Sequence, residues 1–445
     1  MIETNGENLM NKIISLCKRR GFVFPGSELY GGLAGTYTYG QLGSVLKNNI
    51  RDSWLKYFVT SKDNMYLIDA PILMHPKVWE ASGHTTEFID PLVECAKCKH
   101  RFRADQIEDL KKCADCGGQL GEPRNFNLML ETKLGAVSET ATTTYLRPEE
   151  AQSMFVHFKD VLDSSSPKIP FGIAQIGKAF RNEITPRDFI YRLREFEIVE
   201  FEYFINPKEN WEGIFDQFLK EQKTWLSYIG IPPESLHPHE HAPTDRAHYS
   251  KKTIDLEFDY PFGTKELTGL SHRGDFDLKQ HQKFSGQTLE IVDEETNEKY
   301  VPHVIEPTVS LDRAFLALLC SSYTEDEMNG ETRTYLKFKP NIAPVICAVS
   351  PLLKNKPELI TKAREVFTML KNEFGRVMWD DNGNIGKRYR RQDEIGTPWC
   401  IVVDFDTLGE NPELLDTVTI RDRDTGKQER VKISDLAGFI KEKLA

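Results

Sequence analysis

A chain of 445 residues with 39% apolar and 28% charged side chains can build two or three domains, each with its own core, and has the make-up of an ordinary globular protein. Its net charge of −11 excludes a general nucleic-acid coat, although local basic patches can still meet RNA phosphates. The N-terminal MIETNGENLM lacks the basic and apolar regions of a secretory leader, and no apolar run reaches the roughly eighteen residues a membrane span needs, so a cytoplasmic location is expected.

Residues 7–60 carry a Gly-rich turn, LYGGLAGTYTYG, and then a helical repeat in which Leu46, Ile50, Trp54, Leu55 and Phe58 share one buried face. Further on, Cys95, Cys98, Cys113 and Cys116 form C-x2-C, fourteen residues, C-x2-C. That spacing suits tetrahedral zinc held by four thiolates with no position open for catalysis; reduced free thiols are the rival reading. Cys17, Cys320, Cys347 and Cys400 are scattered and read as small buried apolar residues, with no disulfide expected. Basic residues around the knuckles, Arg101 and Arg103 among them, read on their own as a solvated surface. Gly172, Gly177 and Lys178 nearly spell a phosphate-binding loop, but Ala179 stands where a hydroxyl is required and Lys178 runs on into a strand, so that reading is rejected.

The densest chemistry lies in Gln175–Ile205, which reads as two strands joined by a loop carrying Pro186 and Asp188. Alternation with period two places Arg181 and Glu183 on one face of the first strand and Asn182 on the other. It places Arg192, Arg194, Phe196, Ile198 and Glu200 on one face of the second, with Val199, Phe201, Tyr203 and Ile205 opposite. Guanidinium forks suit phosphate oxygens, and an aromatic ring suits a nucleobase. His237, His239 and His241, in HPHEHAP, are expected in an exposed loop. Ile254, Leu256, Phe258 and Tyr260 alternate with Asp255, Glu257 and Asp259 as a half-buried strand, after which KELTGLSHRGDFDL supplies Glu266, Arg273, Asp275 and Asp277. VIEPTVSLDRAFLALL reads as strand, turn and helix, with Ser310 as N-cap and Asp312 in the first turn; Arg313 opposes the helix dipole there, which suggests an anionic partner.

Past the polar stretch Thr324–Arg333 the pattern becomes that of a compact α/β domain, with a strand in APVICAVS, a helix over Pro357–Phe374, strands at Arg376–Trp379 and Trp399–Asp404, and a hairpin about Thr425–Gly426. Lys387, Arg388, Arg390 and Arg391, with Tyr389 interleaved, could contact RNA phosphates and stack a base; a solvated helix face is the alternative.

F-R-N-E, the loop and R-E-F resemble motif 2 of the class II aminoacyl-tRNA synthetases. LRPEEAQ at 146–152 and VIEPTVSLDR at 304–313 are similar to the homodimeric glycyl-tRNA synthetases, and this resemblance covers nearly the whole chain. It implies an α+β class II catalytic domain over 1–340, an antiparallel sheet flanked by helices, with a zinc-knuckle insertion at 91–125 and a further insertion at about 207–252. An α/β anticodon-binding domain is implied over 341–445. The activity implied is ATP-dependent attachment of glycine to tRNA(Gly) through a glycyl-adenylate, with Mg2+ and structural Zn2+, in a homodimer whose interface is built by the first long helix; the proline closing that motif is Pro71 or Pro76.

By the same resemblance the catalytic groups are Arg181, Arg313 and Glu266, and ATP is contacted by Arg181, Asn182, Glu183, Tyr191, Arg192, Leu193, Arg194, Glu195, Phe196, Glu266, Leu267, Ser310, Leu311, Asp312 and Arg313. Arg181 is implied at the α-phosphate, Arg192 and Arg313 at the γ-phosphate end, Phe196 against adenine, Glu183 at its amino edge and Glu266 at magnesium. Glycine is implied to meet Arg103, Glu149, Phe196, Glu200, Arg273, Glu306, Thr308 and Ser310, with Arg103 preferred to Arg101. Thr308 stands where the family usually has serine, and Ser310 where it has glycine; neither change removes a charged group. Acidic side chains crowded around the α-carbon would reject larger amino acids by clash, so no editing domain is expected. A synthetase for proline, threonine or serine should lack the Glu149–Glu200 pair in this context, and a catalytically dead paralogue should lack the arginines.

Overall fold

The structure is a computed structural model and describes residues 5–107, 109–137, 140–293, 296–328 and 330–444; residues 1–4 of the N-terminal stretch lie outside these. Its larger core is organised on a seven-stranded sheet of β1 (Met65–Ile68), β2 (Phe171–Phe180), β3 (Glu195–Ile205), β4 (Leu236–Glu240), β5 (Lys252–Tyr260), β6 (Gly263–Gly274) and β7 (His303–Ser310), in the order β4-β5-β6-β7-β3-β2-β1. Pairing is antiparallel except between β1 and β2, which are parallel.

The two faces of β3 divide as the alternation requires. Val199, Phe201 and Ile205 turn toward a helical layer made by α1 (Gln41–Leu55), α2 (Trp211–Ile229) and α3 (Leu311–Ser322). Trp54 of α1, Phe58 just beyond it, and Trp225 of α2 form a ring cluster with Phe201, with centroids 5.7 Å apart for Trp54–Phe58 and 6.2 Å for Trp54–Phe201. Trp225 also donates its indole N–H to Ser53 Oγ at 3.1 Å, so its polar edge is satisfied. Truncating one such ring to alanine costs about 3–5 kcal/mol. Most of α3, LDRAFLALLCSS, is buried on all sides, as an apolar helix wedged between layers must be. This layer rigidifies the sheet, and the opposite face of β3, β6 and β7 carries the chemistry.

Within residues 207–252, expected as an insertion, α2 covers the back of the sheet and β4 forms its edge. The first four residues of the HPHEHAP tract are correspondingly strand rather than loop, and His241 follows just past the strand end. Its histidines find acidic partners across the pairing with β5, His237 with Asp259 and His241 with Asp255, each at 2.8 Å. Pro71 follows strand β1 closely, whereas Pro76 opens the short helix Pro76–Ala81.

The near-match to a phosphate loop is the strand β2 itself. Gly177 is required there for a different reason: a Cβ would fall 2.2 Å from Arg147 Nη2 and 2.5 Å from Glu150 Oε1, a buried ion pair beside the sheet.

A second core gathers on a five-stranded sheet of β8 (Cys347–Pro351), β9 (Val377–Trp379), β10 (Trp399–Val403), β11 (Thr417–Asp422) and β12 (Gln428–Lys432), in the order β9-β8-β10-β11-β12, with β9, β8 and β10 parallel. Two helices, α4 (Pro357–Phe374) and α5 (Ile385–Glu394), connect the parallel strands as right-sized crossovers. No helix among the described residues is long and apolar enough to cross a membrane.

Candidate active site

The sheet and its loops bring most of the expected residues into one cavity of about 230 Å³. It is lined by Glu149, Glu200, Glu306 and Thr308 at one end and by Arg181, Glu183, Tyr191, Arg192, Leu193, Phe196, Glu266, Leu267, Ser310, Asp312 and Arg313 toward the other.

Phe196, Ile198 and Glu200 project from one face of β3, as period two requires. Arg181, Asn182, Glu183, Arg192 and Arg194, however, lie beyond the strand ends and not on the strands. The last cross-strand bond runs from Arg181 N–H to Arg194 O at 2.9 Å, and the ladder stops there because the next N–H groups find other partners: Asn182 donates to Leu128 O at 2.8 Å and Arg194 to Gly35 O at 2.9 Å. Arg194 further donates to Ala34 O at 2.7 Å and to Glu183 O at 3.1 Å, so the Gly-rich turn clasps this loop. Gly35 sits at φ +75, and a Cβ there would meet Pro186 Cβ at 2.7 Å, which explains a glycine at the clasp.

At the aromatic end, the Arg181 guanidinium lies 5.3 Å from the ring centroids of both Phe88 and Phe196 and donates its Nε–H to Pro148 O at 3.2 Å. Arg313 packs over the Tyr191 ring at 4.5 Å and pairs with Glu266 at 2.9 Å, the anionic partner its position at a helix start called for. Arg192 reaches Glu183 at 3.3 Å. Glu266 owes its direction to an irregularity in the β5–β6 register at Leu256/Glu257, where Leu267 is left out of the pairing and the following alternation is reset. Ser310 caps α3 by accepting the N–H of Arg313 at 3.4 Å.

The other end is crowded with carboxylates. Arg273, 1% exposed, gives Nε to Asp277 at 2.8 Å and Nη1 to Glu306 at 2.7 Å, and the Tyr249 ring covers it at 3.8 Å. Glu149 lies 3.3 Å from His84 Nε2 and 3.9 Å from Arg273; burial alone would raise its pKa, but these neighbours outweigh it and hold the carboxyl well below the usual range. Burial and the charge of Glu149 push Glu200 up to about 8, and burial, only partly offset by Arg273, does the same to Glu306. Glu202, two residues along the same face, is likewise pushed well up by burial and by Glu306. Thr308 donates its hydroxyl to Glu200 at 3.1 Å. A small cation placed among these acids would relieve their mutual repulsion.

Some expected residues stand outside the cavity lining. Arg273 is behind it, holding Glu306; Glu195 pairs with Lys178 at the surface; Leu311 is core; Asn182 and Arg194 hold the loop. Arg103 pairs with Asp90 at 2.8 Å and Asp105 at 2.7 Å in the insertion, whereas Arg101 pairs with Glu94. Residues not expected are His84, Gln152, Tyr249 and Asp255. Gln152 donates to both Glu149 at 3.0 Å and Asp277 at 2.9 Å. Of these only Asp255 had a signal, the alternation along β5.

In the insertion, strands Ile89–Glu94, Arg101–Arg103 and Arg124–Asn127 form a three-stranded sheet, and the four knuckle cysteines converge with all Sγ atoms within 4.8 Å. The Cys95–Cys116 and Cys98–Cys113 sulfurs are 3.6 Å apart, close to the edge of about 3.8 Å for a tetrahedron with Zn–S of 2.3 Å. The Cys98 N–H also points at Cys95 Sγ at 3.5 Å, which favours thiolate. The donor set fits zinc.

The basic residues of α5 are mostly committed within the protein, contrary to their reading as an RNA-facing set. Arg388 is buried and donates to Gly383 O at 2.9 Å, Arg391 pairs with Asp380, and Arg390 pairs with Glu331 at 2.7 Å. Tyr389 lies under the Arg421 guanidinium at 4.8 Å. Arg421 and Arg333 both reach Asp393, at 2.8 Å and 3.2 Å, which ties the second sheet to the hairpin Tyr323–Leu336.

Comparison with known proteins adds two family matches: a tRNA synthetase class II core domain (G, H, P, S and T) over residues 133–323, and an anticodon binding domain over residues 346–443. Over 442 residues the chain is 46% identical to glycine–tRNA ligase of Treponema denticola, covering 97% of this chain and 96% of that protein. It is 45% identical over 463 residues to glycine–tRNA ligase of Bacillus cereus (98% and 99% covered) and 46% identical over 470 residues to that of Clostridium kluyveri (98% and 99%).

Proposed function

The chain belongs to the glycine–tRNA ligase family, and from that premise we propose that its cavity joins glycine to ATP and passes the glycyl group to tRNA(Gly). The observation that carries this reading is the convergence of Arg181, Phe196, Glu200 and Arg313 on one cavity whose far end is lined by Glu149 and Glu306.

In the first step a glycine carboxylate oxygen forms a bond to the α-phosphorus as the bond to pyrophosphate breaks. In the second, a ribose hydroxyl of the terminal tRNA nucleotide attacks the carbonyl carbon and AMP leaves. Both nucleophiles come from substrates, so the protein contributes position and charge. Arg181 meets the α-phosphate, where negative charge is redistributed as pyrophosphate departs. Phe196 stacks adenine and Glu183 reads its amino edge. Arg192 and Arg313 take the γ-phosphate end, Arg313 exchanging Glu266 for phosphate. Glu266, with one oxygen toward Arg313, is a hard donor suited to Mg2+, which when bound offsets the charge of the leaving pyrophosphate. Glu149, Glu200 and Glu306 receive the ammonium, and the carboxylate wall leaves no room for a side chain.

We assign residues 1–340 to catalysis and 341–445 to the anticodon, with Zn2+ on the four cysteines, in a cytoplasmic enzyme. A homodimer is supported by Leu29, Tyr30 and Leu33, which are 88%, 87% and 60% exposed beside the clasp and would be covered by a second copy.

Pyrophosphate exchange measured with each of the twenty amino acids tests the reading. Exchange should require glycine, with alanine, serine, proline and threonine inactive; exchange driven equally by any of these would overturn it.

A further inference from the structure

We propose that Lys47 and Asp312 form a clamp that positions the ATP end of the site, a role resting on the assignment of Phe196 and Arg313 to ATP. Lys47 lies on α1, away from the cavity itself, with its side chain 12% exposed. Its Nζ is 2.8 Å from Asp312 Oδ1 and 3.0 Å from Glu197 Oε2, and it sits 4.3 Å above the Tyr39 ring. The Tyr39 hydroxyl donates to the same Asp312 oxygen, and the second oxygen accepts the main-chain N–H of Glu197 at 2.7 Å.

One buried carboxylate thus gathers donors from α1, from the strand Tyr37–Tyr39 and from β3. Its sequence neighbours make it consequential. Arg313 follows Asp312, and Phe196 precedes Glu197. β3 pairs with β2 from Glu195 onward but with β7 only from Ile198, opposite Ser310, so on the β7 side its first residues have no ladder partner, and a cavity of about 390 Å³ lies beside Phe196 there. The clamp supplies the missing constraint by tying β3 to the first turn of α3. It also joins the ATP site to α1, whose Trp54, about two turns further along the helix, packs on Phe201.

Lys47→Met keeps the apolar stem and removes the charge, leaving Asp312 and Glu197 without their shared cation. In pyrophosphate exchange its KM for ATP should rise about tenfold or more, with KM for glycine within about twofold; the thermal midpoint should fall, because a buried carboxylate is left without its cation. Lys47→Arg should recover most of the ATP affinity. Tyr39→Phe deletes a single hydroxyl donor and should raise the ATP KM in the same sense by a few-fold, which carries the test if Lys47→Met does not fold. ATP affinity that stays at the wild-type value in Lys47→Met and Tyr39→Phe, or ATP and glycine KM rising together, would overturn the clamp. Arg313→Ala, run in parallel, separates the two claims: wild-type ATP affinity there would mean that the ATP assignment has failed rather than the clamp.

Discussion

Arg181→Ala is expected to lower the rate of glycine-dependent pyrophosphate exchange by about 10²–10³-fold, the range found when one preorganised donor is removed from developing charge. Its only fixed side-chain anchors among the described residues are the Pro148 carbonyl at 3.2 Å and the rings of Phe88 and Phe196. Most of its hydrogen-bonding fork is therefore free for an α-phosphate. The loss should fall mainly on kcat, because the interaction strengthens as pyrophosphate departs. Arg181→Lys should recover little, since a point ammonium lacks the bidentate geometry. Folding should be spared, as the main-chain bonds holding Arg181 to Arg194 do not involve the side chain. A loss below about fivefold would remove Arg181 from the chemistry.

The second large effect is on pH. With Glu200 and Glu306 raised to about 8 and Glu149 held low, the free site retains protons through neutral pH. Glycine arrives as an ammonium and favours ionised carboxylates. Binding therefore releases a proton, and affinity falls as pH drops through 8 toward 6.5, by at most about tenfold per unit for one proton. KM for glycine should fall across this window as pH rises, while KM for ATP stays flat. Glu200→Gln, which mimics the protonated form, should bind glycine weakly and flatten the slope. Equal slopes in wild type and Glu200→Gln would show that the coupling does not pass through Glu200.

Local periodicity carried much of this architecture. The alternation along 196–200 and 254–260, the helix at Pro357–Phe374, the knuckle spacing and the Ser310 cap all reflect interactions within a few residues, which spacing encodes directly. What escaped depended on distant partners. Arg388, Arg390 and Arg391 look RNA-facing until Pro351, Glu331 and Asp380 are brought against them. Most of the histidine tract is a strand because its main chain pairs with β5. His84 reaches Glu149 across a long sequence gap that no local pattern marks. The end of the β2–β3 ladder was invisible for the same reason, since Leu128 and Gly35 capture the N–H groups that would have extended it.

Co-crystallisation with a non-hydrolysable glycyl-adenylate analogue tests the central claim most directly. Adenine should stack on Phe196, the phosphate mimic should lie against Arg181, and the ammonium should sit within hydrogen-bonding distance of Glu149, Glu200 or Glu306. An analogue bound elsewhere, or one whose ammonium points away from these carboxylates, would contradict it.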